Sequence, residues 1–188
     1  GFCVVGTSAT IAGEDGLDRL RTFAGDLFEE EFPPESVIGE DRLNVEEIVS
    51  FETADDTPLP SLTDCMPLDG EIADDYAVRQ AEVWGAPTLP AAADQTTALQ
   101  WTLDLGQWLK RQSLFRKLLE TASTQLVTWN ELLDKLGKDD FRLSDLTLED
   151  RHHVVASFCG MIAHARELRS GKDFPLLPTQ VQLWVREL

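Results

Sequence analysis

Long apolar runs are missing from this sequence: nothing in its 188 residues approaches the roughly 18–20 apolar positions needed to span a bilayer. No basic segment followed by an apolar one marks a secretory signal; in a fragment, the parent's own N-terminus would lie out of view. Cysteine is scarce. Cys3, Cys65 and Cys159 lie far apart, and none has a second Cys or a His at metal-ligand spacing. Such an odd, sparse set fits reduced thiols acting as small buried hydrophobes, and a cytoplasmic location is expected. No nucleophile elbow, metalloprotease helix or catalytic Cys–His pairing appears. Carboxylate pairs abound, but in so acidic a chain they carry no information about acid–base catalysis.

Bases are scarce on one side only. Residues 1–100 hold 22 acids and 4 bases, whereas residues 101–188 hold 12 of each, so the whole net charge of −18 sits in the first half. That half repels phosphate backbones and is not expected to grip nucleic acid directly. An acidic face of this kind would suit a basic protein partner. The hydrophobic fraction of 43% is that of a globular chain rather than a disordered one.

Periodicity then divides the chain. Phe2–Val5 is apolar and partly β-branched, as a buried strand should be. A helix is expected from about Asp15 to Phe32, with Leu17, Leu20, Phe23, Ala24, Leu27 and Phe28 on one face and Pro33-Pro34 as its stop. Its late run Glu29-Glu30-Glu31 opposes the negative end of the helix dipole. Residues 43–70 read as an acidic loop with at most a short helix near Val45–Phe51. Helices follow over Asp74–Trp84, after an Asp94 N-cap, and over Leu114–Thr121. Thr128 with Glu131 forms a capping box for Trp129–Leu136, with Gly137 as the residue past its end. After an irregular Lys138–Leu146 stretch, Thr147 with Asp150 repeats the device before a long helix, Leu148–Arg169, closed by Gly171. Val181, Leu183 and Val185 alternate with polar or less buried types, the period of a strand.

Three side-chain groups invite a functional reading. Lys110-Arg111 with Arg116-Lys117 is the only compact basic cluster and the best candidate for phosphate contact. His152-His153 and His164 lack further ligands at fitting offsets and do not make a metal site. Trp101 and Trp108, seven apart on one helix face, fit core packing better than base stacking.

The opening Gly1-Phe2-Cys3-Val4-Val5-Gly6-Thr7-Ser8-Ala9-Thr10-Ile11 resembles motif III of superfamily 2 (DEAD/DEAH-box) helicases. Phe23-Ala24-Gly25-Asp26-Leu27-Phe28 and Ser36-Val37-Ile38-Gly39-Glu40 are similar to the segment after that motif in large bacterial members, some of which serve in antiphage defence. The closing Leu177–Leu188 stretch also resembles a pattern in such proteins. The resemblance implies an internal fragment of an ATP-dependent motor acting on DNA or RNA. Ser8 and Thr10 would couple hydrolysis to movement on the strand. The chain has no Gly-x-x-x-x-Gly-Lys-Ser/Thr and no acidic Mg²⁺ box, so ATP and Mg²⁺ would be held by the parent's remaining helicase domains, and this fragment alone would be inactive. Residues 112–169 resemble part of a helix-turn-helix or winged-helix unit. The expected fold is mainly α: a bundle-like helical insertion with short strands at the termini, the first belonging to a RecA-like α/β domain. The expected organisation is 1–42, end of the first motor domain; 43–93, acidic connector; 94–172, helical module; 173–188, a strand entering the next domain.

Overall fold

In the computed structural model, residues 16–33, 45–49, 56–124 and 127–177 are described. The chain divides into two units, Gly1–Leu43 and Asn44–Leu188. The expected strands at Phe2–Val5 and Val181–Val185 lie outside the described residues, as do Cys3 and Trp184.

In the first unit the described part is helix α1, Gly16–Phe28. It stops four residues short of the expected Phe32. Glu29 takes a left-handed φ of 54°, which ends the helix before the prolines. The apolar residues expected to form its buried face are largely uncovered: Phe23 is 63% exposed and Leu27 58%.

Among its described residues, the second unit is a helical assembly with one small hairpin. Its elements are α2 (Val45–Ile48), α3 (Leu62–Cys65), α4 (Ala73–Val83), α5 (Gln95–Leu109), α6 (Ser113–Thr124), α7 (Trp129–Asp139), α8 (Phe141–Ser144), α9 (Leu148–His164), β1 (Arg166–Arg169) and β2 (Lys172–Pro175). Helix α9 is the hub, packing against α3, α4, α5 and α7. Phe158, 1% exposed, meets Trp84 edge-on with ring centres 5.0 Å apart, and Trp108 at 6.4 Å. The Trp84 indole N–H donates to Ser157 Oγ (3.0 Å), and that of Trp101 to the Pro87 carbonyl (2.7 Å), so both buried rings keep a polar partner.

The caps are those the sequence pattern predicts. Asp94 Oδ1 accepts from the Thr97 N–H at 2.8 Å. Thr128 and Glu131 form a reciprocal box: Glu131 Oε2 accepts from the Thr128 N–H (2.8 Å) while Thr128 Oγ1 accepts from the Glu131 N–H (3.3 Å). Thr147 Oγ1 accepts from the Asp150 N–H (3.2 Å). Each satisfies a first-turn donor that would otherwise lack a partner.

Four expectations need correction. The stretch after residue 56 is not all loop, because Ser61 caps the short α3, its side chain accepting from the Asp64 N–H. Gly137 does not end α7, which continues to Asp139. A Cβ there would meet the Arg151 guanidinium instead, so the glycine makes room for α9. The irregular 138–146 stretch holds α8. Finally, the last helix ends at His164 rather than Arg169. Ser170 (φ 50°) and Gly171 (φ 76°) form a two-residue turn of the kind that closes tight hairpins. That turn pairs Arg166–Arg169 with Lys172–Pro175 in antiparallel register, and the Leu176 N–H extends the ladder to the Ala165 carbonyl (2.8 Å). The boundary expected between 172 and 173 therefore falls inside β2.

The hairpin is held close to α5. A Cβ on Gly106 would be driven into the backbone carbonyl of Arg166, so only glycine permits this approach.

Candidate functional site

Ser8 and Thr10 lie outside the described residues. The four bases of the expected phosphate-contacting cluster are described. Lys110 caps the C-terminal end of α5 and its Nζ lies 2.6 Å from Glu167 Oε2 on β1. Lys117, on α6, lies 3.2 Å from Asp140 Oδ2. Arg111 is exposed on the turn after α5, and Arg116 is half-buried on α6. Lys110 and Lys117 thus already face carboxylates of this chain, on different elements.

Lys117 belongs to a buried polar network. The Asp140 side chain is fully buried and accepts from Arg142 Nε at 2.9 Å and Nη2 at 2.5 Å. Arg142 also donates from Nη1 to the Thr57 carbonyl (2.6 Å) and from Nη2 to Ser113 Oγ (3.0 Å). Ser113 Oγ donates in turn to Asp56, and Thr57 Oγ1 to Gln112 Oε1 (2.5 Å). Burial alone would raise the Asp140 carboxyl, but Arg142 and Lys117 outweigh it and hold it at about 2. The network ties residues 56–57 to the start of α6 and to α8. Nothing in the sequence groups these residues, which come from three separate segments.

A second cluster fixes the acidic stretch before α4. Arg79 grips Glu71 with two bonds of 2.7 Å and donates to the carbonyls of Asp64 (2.7 Å) and Met66 (2.8 Å). The guanidinium bonds hold Glu71 down to about 2. Tyr76 Oη adds a bond to the Cys65 carbonyl at 2.7 Å. Cys65 is buried, and burial pushes the Cys159 thiol up to about 12, so neither is poised as a thiolate nucleophile.

The histidines go to different places. His164 Nε2 lies 2.9 Å from Asp74 Oδ1, linking the end of α9 to the start of α4, with Nδ1 3.0 Å from the Gly160 carbonyl. His152 Nδ1 accepts from the Trp129 indole N–H (2.8 Å). Among the described residues no three His, Cys, Asp or Glu side chains converge as a metal-ligand set, and no helix is long and apolar enough to cross a membrane.

A group of cations that spacing along the sequence does not reveal lies on the hairpin. Through Glu167 the hairpin brings Arg169, with Lys172 opposite it, to the place where Lys110 already sits. Glu167 is clamped between Lys110 and Arg169. Burial would raise its carboxyl, yet the two cations hold it below its ordinary value. Arg166 pairs with Asp173 at 2.7 Å. The Ser170-Gly171 dipeptide was the signal that could have exposed this surface in the sequence. By contrast, the outer positions of α7 (Glu131, Asp134, Asp139) are exposed and acidic, with Lys138 the exposed base among them. That helix is a poor reader of phosphates. No family model matches the chain, and no curated protein or solved structure is similar to it.

Proposed function

We propose that the chain is a segment of a superfamily 2 ATP-dependent nucleic-acid helicase or translocase. On this reading, residues 1–42 end a RecA-like motor domain and the helical unit is an accessory element inserted after it. The observation that carries the reading is the order of Gly6-Thr7-Ser8-Ala9-Thr10 after an apolar strand pattern, followed by α1, whose apolar residues stay exposed. A helix that covers one face of a sheet has such an apolar side. Ser8 and Thr10 supply hydroxyls suited to hydrogen-bonding acidic residues of a nucleotide site. On this reading ATP and Mg²⁺ are held by other domains of the parent, since the sequence carries no phosphate-binding loop. The test is the ATPase and unwinding activity of the full parent protein with the Ser8→Ala/Thr10→Ala pair. Nucleic-acid-stimulated hydrolysis that persists while unwinding collapses supports coupling. A parent without ATPase activity, or a double variant equal to wild type in both assays, refutes it.

A second reading, a non-catalytic acidic module for a basic protein partner, is favoured by one feature of the helical unit. Asp69, Asp75, Glu82, Asp94 and Asp104 are all exposed. Between residues 56 and 109 the sole base, Arg79, is engaged with Glu71.

A further inference from the structure

The hairpin register sorts its side chains. Residues directly opposite one another share a face, so Glu167, Phe174, Arg169 and Lys172 lie on one side and Arg166, Pro175, Leu168 and Asp173 on the other. On the first side Glu167 is buried and held by Lys110 and Arg169. What remains open to solvent is the Arg169 guanidinium (side chain 47% exposed), Lys172, and the Phe174 ring (41%). Arg169 and Lys172 stand opposite one another at the turn. Glu167 already compensates Arg169 from within the face, so an added anion would meet Lys172 and the open edge of the Arg169 guanidinium together. Lys110, Arg166, Arg169 and Lys172 outnumber Glu167 and Asp173, a local excess of positive charge in a chain of net −18.

Two exposed cations beside an exposed aromatic ring on one face match the chemistry of an unpaired nucleic-acid strand, which offers phosphates and the flat faces of unstacked bases together. We propose that this hairpin face binds single-stranded nucleic acid, with Arg169 and Lys172 on successive phosphates and Phe174 stacked on a base. Lys110 is a positioning residue: it fixes Glu167, and through it the guanidinium of Arg169. The proposal rests on the motor reading for the class of partner, but its test needs no nucleotide and no ATPase activity.

The test is anisotropy of a labelled oligothymidylate titrated with the full chain at low salt, over a salt series. Lys172→Glu is the main variant, since its side chain is exposed at the turn; Phe174→Ala is the second; Lys138→Glu, on the outer side of α7, is the control. Circular dichroism melting confirms that each folds. Lys172→Glu and Phe174→Ala are each expected to weaken binding by about fivefold to a hundredfold. Lys172→Glu should also flatten the slope of log K against log salt by about 0.7. Lys138→Glu should stay within about twofold of wild type, the range expected without a direct contact. No binding by the wild type, binding equal to wild type by both hairpin variants, or an equal loss with Lys138→Glu would each overturn the proposal. A parent without ATPase activity whose hairpin still binds the strand would sink the motor reading and leave this site standing.

Discussion

Helices α1 and α9 are both amphipathic in sequence, yet one is uncovered and the other is the centre of a core. In α1, Phe23 and Leu27 face solvent and the ion pair of Arg21 with Asp18 (3.3 Å) is exposed. In α9, Val154, Val155, Phe158, Met161 and Ile162 are buried and touched by four other elements. Periodicity reports that a helix has an apolar side; it does not report whether anything in the same chain covers that side. The second unit carries a buried core of its own, and the described residues of the first unit add nothing to it.

The contrast can be broken most directly by matched truncations. Phe158→Ala removes a ring packed between Trp84 and Trp108 and is expected to cost about 3–5 kcal/mol of stability. Phe23→Ala should stay within about 0.5 kcal/mol. Denaturant unfolding of the full chain, followed by tryptophan fluorescence, checks both; an equal cost at the two sites would erase the distinction.

The polar counterpart is nearly as large. Arg142→Ala leaves the buried Asp140 carboxylate without its main partner, and breaking such a pair costs about 3 kcal/mol or more. Arg21→Ala on α1 should leave the unfolding midpoint unchanged, because exposed pairs contribute little. Asp140 also gives this core a pH signature. Its folded value of about 2 lies below the ordinary 3.8, so the unfolded state takes up the proton more readily. The stabilisation is therefore complete above about pH 5 and is lost as pH falls through 4 towards 2, roughly 2 kcal/mol in all. Stability measured across that range should fall in the wild type and flatten in Asp140→Asn.

The smallest effect concerns the join between α5 and the hairpin. Gly106→Ala must displace the Arg166 backbone and is expected to cost about 1–2 kcal/mol. Gly137→Ala meets the far end of the Arg151 side chain, which can swing away, so its cost should be smaller. The reverse order would mean that the hairpin, not the α7–α9 contact, is the looser joint.

Local chemistry made part of this fold legible in advance. Asp94, Thr128 and Thr147 marked three helix starts because a cap is decided by residues three apart. Trp101 and Phe158 fell on core faces because burial follows the helical repeat. The hairpin was hidden because Ala165-Arg166-Glu167-Leu168-Arg169 has good helix formers, and only pairing with Lys172–Pro175 outweighs that preference. The ion pairs of the basic cluster were not legible for a related reason. Closeness in sequence groups Lys110 with Lys117, whereas the fold sends one to Glu167 and the other to Asp140. The Asp140–Arg142 network could not be read at all, since its members meet only after α6, α8 and residues 56–57 have packed.

The central claim, that α1 belongs to a motor layer supplied by a longer parent while the helical unit folds by itself, is tested most directly by hydrogen exchange. It would be measured on this chain and on the full parent protein. The account predicts that amides of α1 exchange rapidly in the chain and become protected in the parent, while those of α9 are protected in both. Slow exchange of α1 in the chain alone, or rapid exchange of α1 in the parent, would contradict it.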